Sequence, residues 1–214
     1  HLCDRRQRQM CIRDRKKFLA YLDSLNYSQN NQMHACLYRF LLATGLRVGE
    51  ALALKWNDIN FIELTIIINK TVVRTVNFSD RVQVGAKTKE SNRTISFDNN
   101  TATLLNSWKK NQNKDIISIT DQFVFSVDNH CYTYANELRI LTKHFKNAGV
   151  NNIGFHGFRH THASLLMNND VNPKEIQYRL GHADYGITMN TYAHLNDEKA
   201  KDTAVKFGNI LDAL

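Results

Sequence analysis

The chain has 214 residues, with 28 basic and 20 acidic side chains and a formal net charge of +8. Hydrophobic residues make up 43% of it and charged residues 22%, a balance that excludes a disordered basic tail. A single proline and nine glycines disfavour a loop-rich β fold, and no apolar run reaches the roughly 18 residues of a membrane span. The positive excess favours a polyanionic partner, most simply nucleic acid.

The first fifteen residues differ from the rest of the chain. They hold five arginines, two aspartates and two of the four cysteines, without an apolar period or a secretory signal. They resemble a translated sequencing-adaptor read-through, and a basic helix on DNA is the alternative. We expect residues 1–15 to be a non-native or disordered basic segment, ahead of one domain over residues 16–214. The isolated Cys36 and Cys131 indicate a reducing compartment.

The region after this segment has a helical pattern. Apolar residues at helical spacing predict a short helix over about residues 15–25. Asn30 and Asn31 are candidate caps for a second helix, which Gly45 ends. The stretch GLRVGEALAL, which begins at Gly45, then starts another helical turn.

The pattern changes to β in the middle of the chain. Four stretches are rich in β-branched residues and partly alternate, with turn residues between them: residues 64–69, 71–76, 81–86 and 93–97. They predict a small antiparallel sheet of three or four strands. Residues 122–127 are a further short candidate strand.

The remainder of the chain returns to helix. The sequence predicts a helix that contains Trp108, a second over residues 134–148 and a third over residues 156–168. Asn172 and Pro173 cap and open a helix that Gly181 ends, and further helices follow around Tyr192 and over residues 200–214. The predicted fold class is therefore mainly α with a small antiparallel β-sheet.

Histidines are concentrated near the C-terminal end, with five between residues 156 and 194. His156 and His160 are four residues apart, a spacing that can bind zinc on a helix. No glutamate between them can serve as a base and no third ligand is near, so we expect no metal at this pair. The alternative for His160 and His162 is packing in a polar helix interface.

Basic and hydroxyl groups near helix ends supply the parts for phosphoryl transfer. Arg47 starts one helix, and Arg159 lies on another. Two guanidinium groups can fork onto the non-bridging oxygens of one phosphodiester. A lysine such as Lys87 and a histidine such as His182 can move protons, and a tyrosine such as Tyr192 can be a nucleophile.

Four motifs, in this order along the chain, resemble those of the tyrosine recombinases, or phage integrases. They are ATGLRVGEALAL, a lysine in GAKTKESNRTI, HGFRHTHASLLM, and LGH followed by the tyrosine of NTYAHL. The resemblance covers about residues 16–210 and is strongest to integrases of phages and conjugative transposons of Gram-positive bacteria. Phe158 departs from the family's HxLRH pattern, a conservative apolar change. The resemblance implies the DNA breaking–rejoining fold.

The resemblance implies site-specific DNA recombination through a 3′-phosphotyrosine, for integration and excision of a mobile element. Tyr192 would be the nucleophile that releases a 5′-hydroxyl. Arg47 and Arg159 would bind the non-bridging oxygens and stabilise the transition state. The family needs neither a metal nor a high-energy cofactor.

The resemblance also assigns the proton transfers. Lys87 would be the general acid for the departing 5′-oxygen, with Lys89 as the alternative. His156 would accept the phenol proton and His182 would donate a hydrogen bond to the phosphate. Glu50, one turn after Arg47, would hold that arginine.

Partners and domain organisation follow from the same resemblance. We expect binding to double-stranded DNA at attachment-type sites, a tetramer on DNA and a free monomer, and accessory bending or excision factors, in the bacterial cytoplasm at the nucleoid. The core-binding and arm-binding domains of the family are expected to be absent from this chain. The tail helix would dock either on its own domain or on a neighbouring protomer.

Three alternative functions remain beside recombination. They are a type IB topoisomerase-like enzyme, a non-catalytic DNA-binding module and a histidine-rich metal hydrolase.

Overall fold

The computed structural model describes residues 10–74, 80–84, 92–112 and 121–181. Within those ranges the helices are α1 (Ile12–Asp23), α2 (Gln29–Thr44), α3 (Val48–Leu52), α4 (Asn99–Gln112), α5 (Tyr134–Ala148), α6 (Gly154–Asn168) and α7 (Pro173–Leu180). The strands are β1 (Ile59–Asn60), β2 (Thr65–Ile68), β3 (Lys70–Arg74), β4 (Asp80–Val84) and β5 (Arg93–Ser96). A 3₁₀ turn, Trp56–Asp58, precedes β1. The predicted mainly α class with one β insertion is confirmed.

The β insertion forms two sheets rather than one. Within the described ranges, β1, β2 and β5 form an antiparallel sheet in which Ile66 lies opposite Ile95, whereas β3 pairs with β4 and places Val72 opposite Val82. Asn69 alone separates β2 from β3. Because β1 and β5 already occupy the two edges of β2, the chain continues into a separate pair of strands. The antiparallel strands were predicted correctly, and their placement in a single sheet was wrong.

Residues 122–127 do not form the predicted strand. Their β pairing in the described residues is limited to one isolated antiparallel bridge, between Phe123 and Lys55. The side-chain amide of Gln112 donates instead to the carbonyl oxygens of Phe123 and Ser126, at 2.9 and 2.6 Å. A buried side chain thus satisfies backbone groups that a neighbouring strand would otherwise pair.

The start of α2 also differs from the prediction. Ser28 is the cap, and its hydroxyl accepts a hydrogen bond from the backbone N–H of Asn31. Ser28 has the extended backbone that a capping residue needs, whereas Asn30 and Asn31 already lie inside the helix. Gly45 ends α2 in the left-handed conformation, at φ +68°, as predicted.

The N-terminal segment meets the domain at Met10. This residue is buried, and its backbone N–H donates to the hydroxyl of Thr161 on α6. α1 begins at Ile12, three residues before the predicted start, so residues 12–15, which were expected to be non-native or disordered, form its first turn. Residues 1–9 lie outside the described residues.

The main core is built from aromatic rings on four helices. Phe18 on α1, Tyr38 on α2, and Phe145 and Phe158 on α5 and α6 are fully buried. The ring centroids of Phe18 and Phe145 are 4.7 Å apart, and those of Tyr38 and Phe158 are 5.9 Å apart. This aromatic core holds α6, and therefore the residues on its other face, in a defined place.

A second, smaller apolar cluster joins α7 to α6. Its buried members are Ala163, Met167, Ile176 and Leu180. No helix in the described ranges is long and apolar enough to cross a membrane.

Candidate active site

Arg47 lies where α2 gives way to α3. Gly45 turns the chain, and Arg47 then caps α3 with an extended backbone. Its guanidinium donates from Nη2 to the carbonyl oxygen of Gly181 at 3.0 Å and from Nη1 to that of Leu180 at 3.4 Å. The Arg47 side chain is 39% exposed, so the group is anchored on one side and open to solvent on the other.

Arg159 reaches the same place from α6. It is buried, and its Nη2 donates to the carbonyl oxygen of Leu180 at 2.7 Å while Nη1 donates to that of Gly45 at 3.0 Å. Two guanidinium groups that are 112 positions apart in the sequence therefore share one acceptor, the carbonyl of Leu180 at the end of α7. The unpaired carbonyls of a helix C-terminus carry partial negative charge, which favours cations there.

Glu50 contacts Arg47 through both of its carboxylate oxygens. Its Oε2 accepts from the backbone N–H of Arg47 at 2.9 Å, and its Oε1 accepts from Arg47 Nη1 at 3.1 Å. Burial raises the pKa of the Glu50 carboxyl, but the hydrogen bonds and charges of Arg93 and Arg47 outweigh burial and hold it below its usual value. Glu50 is therefore a buried carboxylate rather than a neutral acid at neutral pH.

Arg93 is the member of this cluster that our sequence reasoning missed. It lies on β5, with its side chain 1% exposed, and forks onto both oxygens of Glu50 at 3.1 and 2.9 Å. Its Nε donates to the carbonyl of Arg179 on α7 at 2.9 Å. A signal was present in the sequence: Arg93 alternates with the buried Ile95 and Phe97, and an inward arginine needs a buried acidic partner.

His156 shares a cavity with Arg47. The cavity has a volume of about 380 Å³, and its walls also include Thr71 and Val72 of β3 and the ring of Phe155. His156 lies on the first turn of α6, one turn before Arg159, and is exposed. Arg47 and His156 thus line one cavity, and the buried Arg159 is linked to Arg47 by their shared acceptor, the carbonyl of Leu180.

His162 has a structural role, as the packing alternative predicted. Its Nδ1 is 2.9 Å from the carbonyl oxygen of Leu42, and its Nε2 accepts from Arg179 Nε at 3.0 Å. Burial, helped by the charges of Arg179 and Arg159, lowers the pKa of His162 to about 4, so the ring is neutral at neutral pH. The His156 and His160 rings lie 6.4 Å apart, and the described ranges contain no group of three His, Cys, Asp or Glu residues that could hold a metal.

The other predicted site residues, Lys87, His182 and Tyr192, lie outside the described residues, as does the alternative Lys89. The chain reaches His182 directly from Gly181, whose carbonyl oxygen accepts from Arg47.

Comparison with known proteins identifies one family. Residues 14–199 match the phage integrase family. The ICEBs1 integrase of Bacillus subtilis is 30% identical over 201 residues, which are 92% of this chain and 53% of that protein.

Solved structures share the fold. The Tn1549 transposon integrase, in complex with transposon right end DNA, superposes with a TM-score of 0.76 at 24% identity, over 94% of this chain and 66% of that one. The catalytic domain of bacteriophage HP1 integrase gives a TM-score of 0.57 at 21% identity, over 93% and 94% of the two chains. The chain spans about half the length of the curated relatives that it matches.

Proposed function

This chain belongs to the phage integrase family, and we propose that it is the catalytic part of a site-specific DNA recombinase. It would cleave and rejoin DNA through a 3′-phosphotyrosine, for integration and excision of a mobile element. The observation that carries this proposal is the meeting of the Arg47 and Arg159 guanidinium groups at the carbonyl of Leu180. A pair of guanidinium groups beside an exposed histidine is suited to bind and activate a phosphodiester.

The proposed reaction exchanges one phosphate ester bond for another and needs no added reactant. Tyr192 Oη attacks the phosphorus, and the bond from phosphorus to the 5′-oxygen breaks. His156 takes the phenol proton, which is needed because a phenol with a pKa near 10 is a poor nucleophile at neutral pH. Lys87 gives a proton to the departing 5′-oxygen, and rejoining is the reverse of these steps.

Charge on the phosphate would be stabilised by the arginines and by His182. Arg47 and Arg159 bind the non-bridging oxygens, and His182 donates a hydrogen bond to the same group. Removing one such positioned donor typically lowers the rate on the order of 10²–10³-fold.

The proposed partner is double-stranded DNA at attachment-type sites. The complex of the Tn1549 integrase with transposon right end DNA supports this partner. Assembly into a tetramer on DNA, accessory bending or excision factors, and action at the bacterial nucleoid in the cytoplasm complete the proposal. If the protein makes six to ten phosphate contacts, its affinity should fall roughly 10³–10⁵-fold between 50 and 200 mM salt. Binding that is insensitive to salt would contradict the phosphate contacts.

The test is capture of a covalent adduct. The chain is incubated with end-labelled duplexes of randomised sequence, each nicked so that the cleaved end diffuses away and traps the protein on DNA. We expect label to remain with the protein on a denaturing gel, and Tyr192→Phe to abolish that label while leaving the urea unfolding midpoint unchanged. An adduct that persists in Tyr192→Phe, or that requires a divalent metal, would contradict the proposal.

Two further assays, on a supercoiled plasmid and on DNA binding, separate the alternatives. Supercoil relaxation without strand exchange would favour a type IB topoisomerase-like enzyme. Salt-sensitive DNA binding without any adduct would favour a non-catalytic DNA-binding module.

A modified substrate tests which lysine is the acid. A thiol is a far stronger acid than an alcohol, since a cysteine thiol has a pKa of about 8.5, so a 5′-thiolate can leave without a proton. We expect Lys87→Ala to slow cleavage of the natural oxygen ester. On the sulfur-substituted ester, the cleavage rate of this variant should return toward that of the wild-type chain. Lys89→Ala is the matched control, and the opposite pattern would assign the role to Lys89.

A further inference from the structure

Arg93 connects three parts of the candidate site. Its guanidinium grips both oxygens of the Glu50 carboxylate, and its Nε donates to the carbonyl of Arg179 near the end of α7. Glu50 in turn accepts from both the backbone and the guanidinium of Arg47. One buried side chain on β5 therefore links the start of α3 to the end of α7.

The charges around Glu50 are unequal. The guanidinium groups of Arg47 and Arg93 contact the one Glu50 carboxylate, and those of Arg47 and Arg159 contact the carbonyl of Leu180 at the end of α7. Arg93 makes the two-pronged contact with Glu50, whereas Arg47 makes a single side-chain contact at one edge of the carboxylate. A forked pair is the stronger of these two arrangements. The charge of Glu50 is thus mainly offset by Arg93, and Arg47 keeps positive charge for an anion in the cavity.

Gly181 shows how tightly Arg93 is held. A Cβ atom at this position would lie 2.7 Å from Arg93 Nη1 and 2.9 Å from its Cζ. The guanidinium therefore packs directly on the backbone of the residue that precedes His182, in the space that a Cβ atom would need.

We infer that Arg93 is a positioning residue for Arg47. It holds the Glu50 carboxylate in the orientation that aims the Arg47 guanidinium at the cavity, and it offsets the charge of Glu50 so that Arg47 can attract a phosphate. The nature of that anion rests on the proposed function. The positioning itself rests on the buried contacts among Arg93, Glu50 and Arg47.

The first experiment compares Arg93→Gln and Arg93→Lys with the wild-type chain, using single-turnover adduct formation at saturating DNA. We expect Arg93→Gln to lower the rate on the order of 10-fold to 100-fold, the size of effect that loss of a supporting partner has at metal sites. DNA affinity should change less than about 3-fold, because phosphate contacts elsewhere provide most of the binding. Arg93→Lys keeps the charge but loses the forked contact, so its rate should lie between those of the wild-type chain and Arg93→Gln.

Arg39→Gln is the matched control. Arg39 also bridges a carboxylate and a backbone carbonyl, those of Asp23 and Leu19, but it does so between α1 and α2. This variant should keep the wild-type rate. A rate for Arg93→Gln equal to that of Arg39→Gln, per folded molecule, would overturn the inference while leaving the proposed function intact.

The pH profile separates positioning from a general loss of structure. Glu50 stays buried in Arg93→Lys and Arg93→Gln, but it loses the forked contact that keeps it ionised. Its protonation should therefore move to higher pH, so the rates of the two variants should fall below the wild-type rate by a larger factor at acidic pH than at neutral pH. A loss by the same factor at every pH would show a merely structural role.

A direct titration decides the inference without any cleavage. Carbon-13 NMR of the Glu50 carboxyl should show it titrating at higher pH in Arg93→Lys than in the wild-type chain. Unchanged titration would overturn the inference, and this holds even if the wild-type chain forms no adduct and the proposed function falls.

A double variant covers the case in which Arg93→Gln does not fold. Removing both members of a buried pair is better tolerated than removing one. In Glu50→Gln with Arg93→Gln, we expect the rate to equal that of Glu50→Gln alone, because Arg93 acts through Glu50. Additive losses would contradict that route.

Discussion

The two apolar clusters of the molecule hold their helices in different ways. The aromatic core joins α1, α2, α5 and α6 through large rings, with Phe18, Tyr38, Phe145 and Phe158 fully buried. The cluster under α7 has four buried members, none of them aromatic.

α7 is positioned largely by polar contacts. Its last residues offer their carbonyl oxygens to Arg93, Arg47 and Arg159. The side chain of Arg179 adds donations to the carbonyl of Ser96 and to the His162 ring. Apolar contacts are not directional, whereas hydrogen bonds from a planar guanidinium fix both distance and angle. The comparison shows that the core supplies stability and the arginines supply the geometry of the candidate site.

The largest expected effect is on the aromatic core. Phe158→Ala should lower the free energy of unfolding by about 3–5 kcal/mol, because it leaves a cavity among three other buried rings. Phe158→Leu, which restores the leucine of the family pattern, should cost less than about 1.5 kcal/mol. Urea unfolding followed by circular dichroism measures both. A loss below about 1 kcal/mol for the alanine variant would show that α6 is not held by this core.

An intermediate effect is expected at the polar contacts of α7. The pKa of His162 is about 4 in the folded protein, below the ordinary value of 6.5, so the unfolded chain takes up this proton first as the pH falls. Stability should therefore decrease between pH 6.5 and 4, by at most about 3 kcal/mol from this group. Burial, with the charge of His34, lowers the pKa of His144 to about 4 as well, so His144 contributes in the same direction.

Replacement of His162 tests this assignment. His162→Gln should make the urea midpoint less sensitive to acid across that window. His130→Gln, at an exposed side chain, is the control. Equal acid sensitivity in the wild-type chain and His162→Gln would assign the acid-sensitive contact to another group.

The smallest expected effect is the difference in unfolding free energy between two glycine variants. This difference separates backbone strain from the contact with Arg93. Gly154 and Gly181 both have left-handed backbone, at φ +60° and +64°, but a Cβ at Gly154 would meet nothing within 4 Å. Gly154→Ala should cost only the backbone term of about 1–2 kcal/mol. Gly181→Ala should cost about 1 kcal/mol more, because it also displaces Arg93, and only this variant should slow adduct formation. Equal losses in urea unfolding would mean that Arg93 moves freely.

Local elements were predicted well wherever one signal dominated. The apolar period of α5 and the sequence Asn172–Pro173 with Gly181 for α7 placed both helices correctly. Predictions were wrong where tertiary contacts compete with local preference. The amide of Gln112 takes the carbonyl groups of residues 122–127, and β2 uses both of its edges so that β3 joins another pair.

The sequence by itself determined the helical periods, the order of the motifs and the family resemblance. It also indicated Arg47, Arg159 and Glu50, because these positions lie within recognisable local patterns. The tertiary structure alone decided that the two arginines meet at Leu180 and that Arg93 grips Glu50. The physical reason is that alternation along β5 reports only that Arg93 points inward, while its partner on α3 is set by how the strand and helix pack.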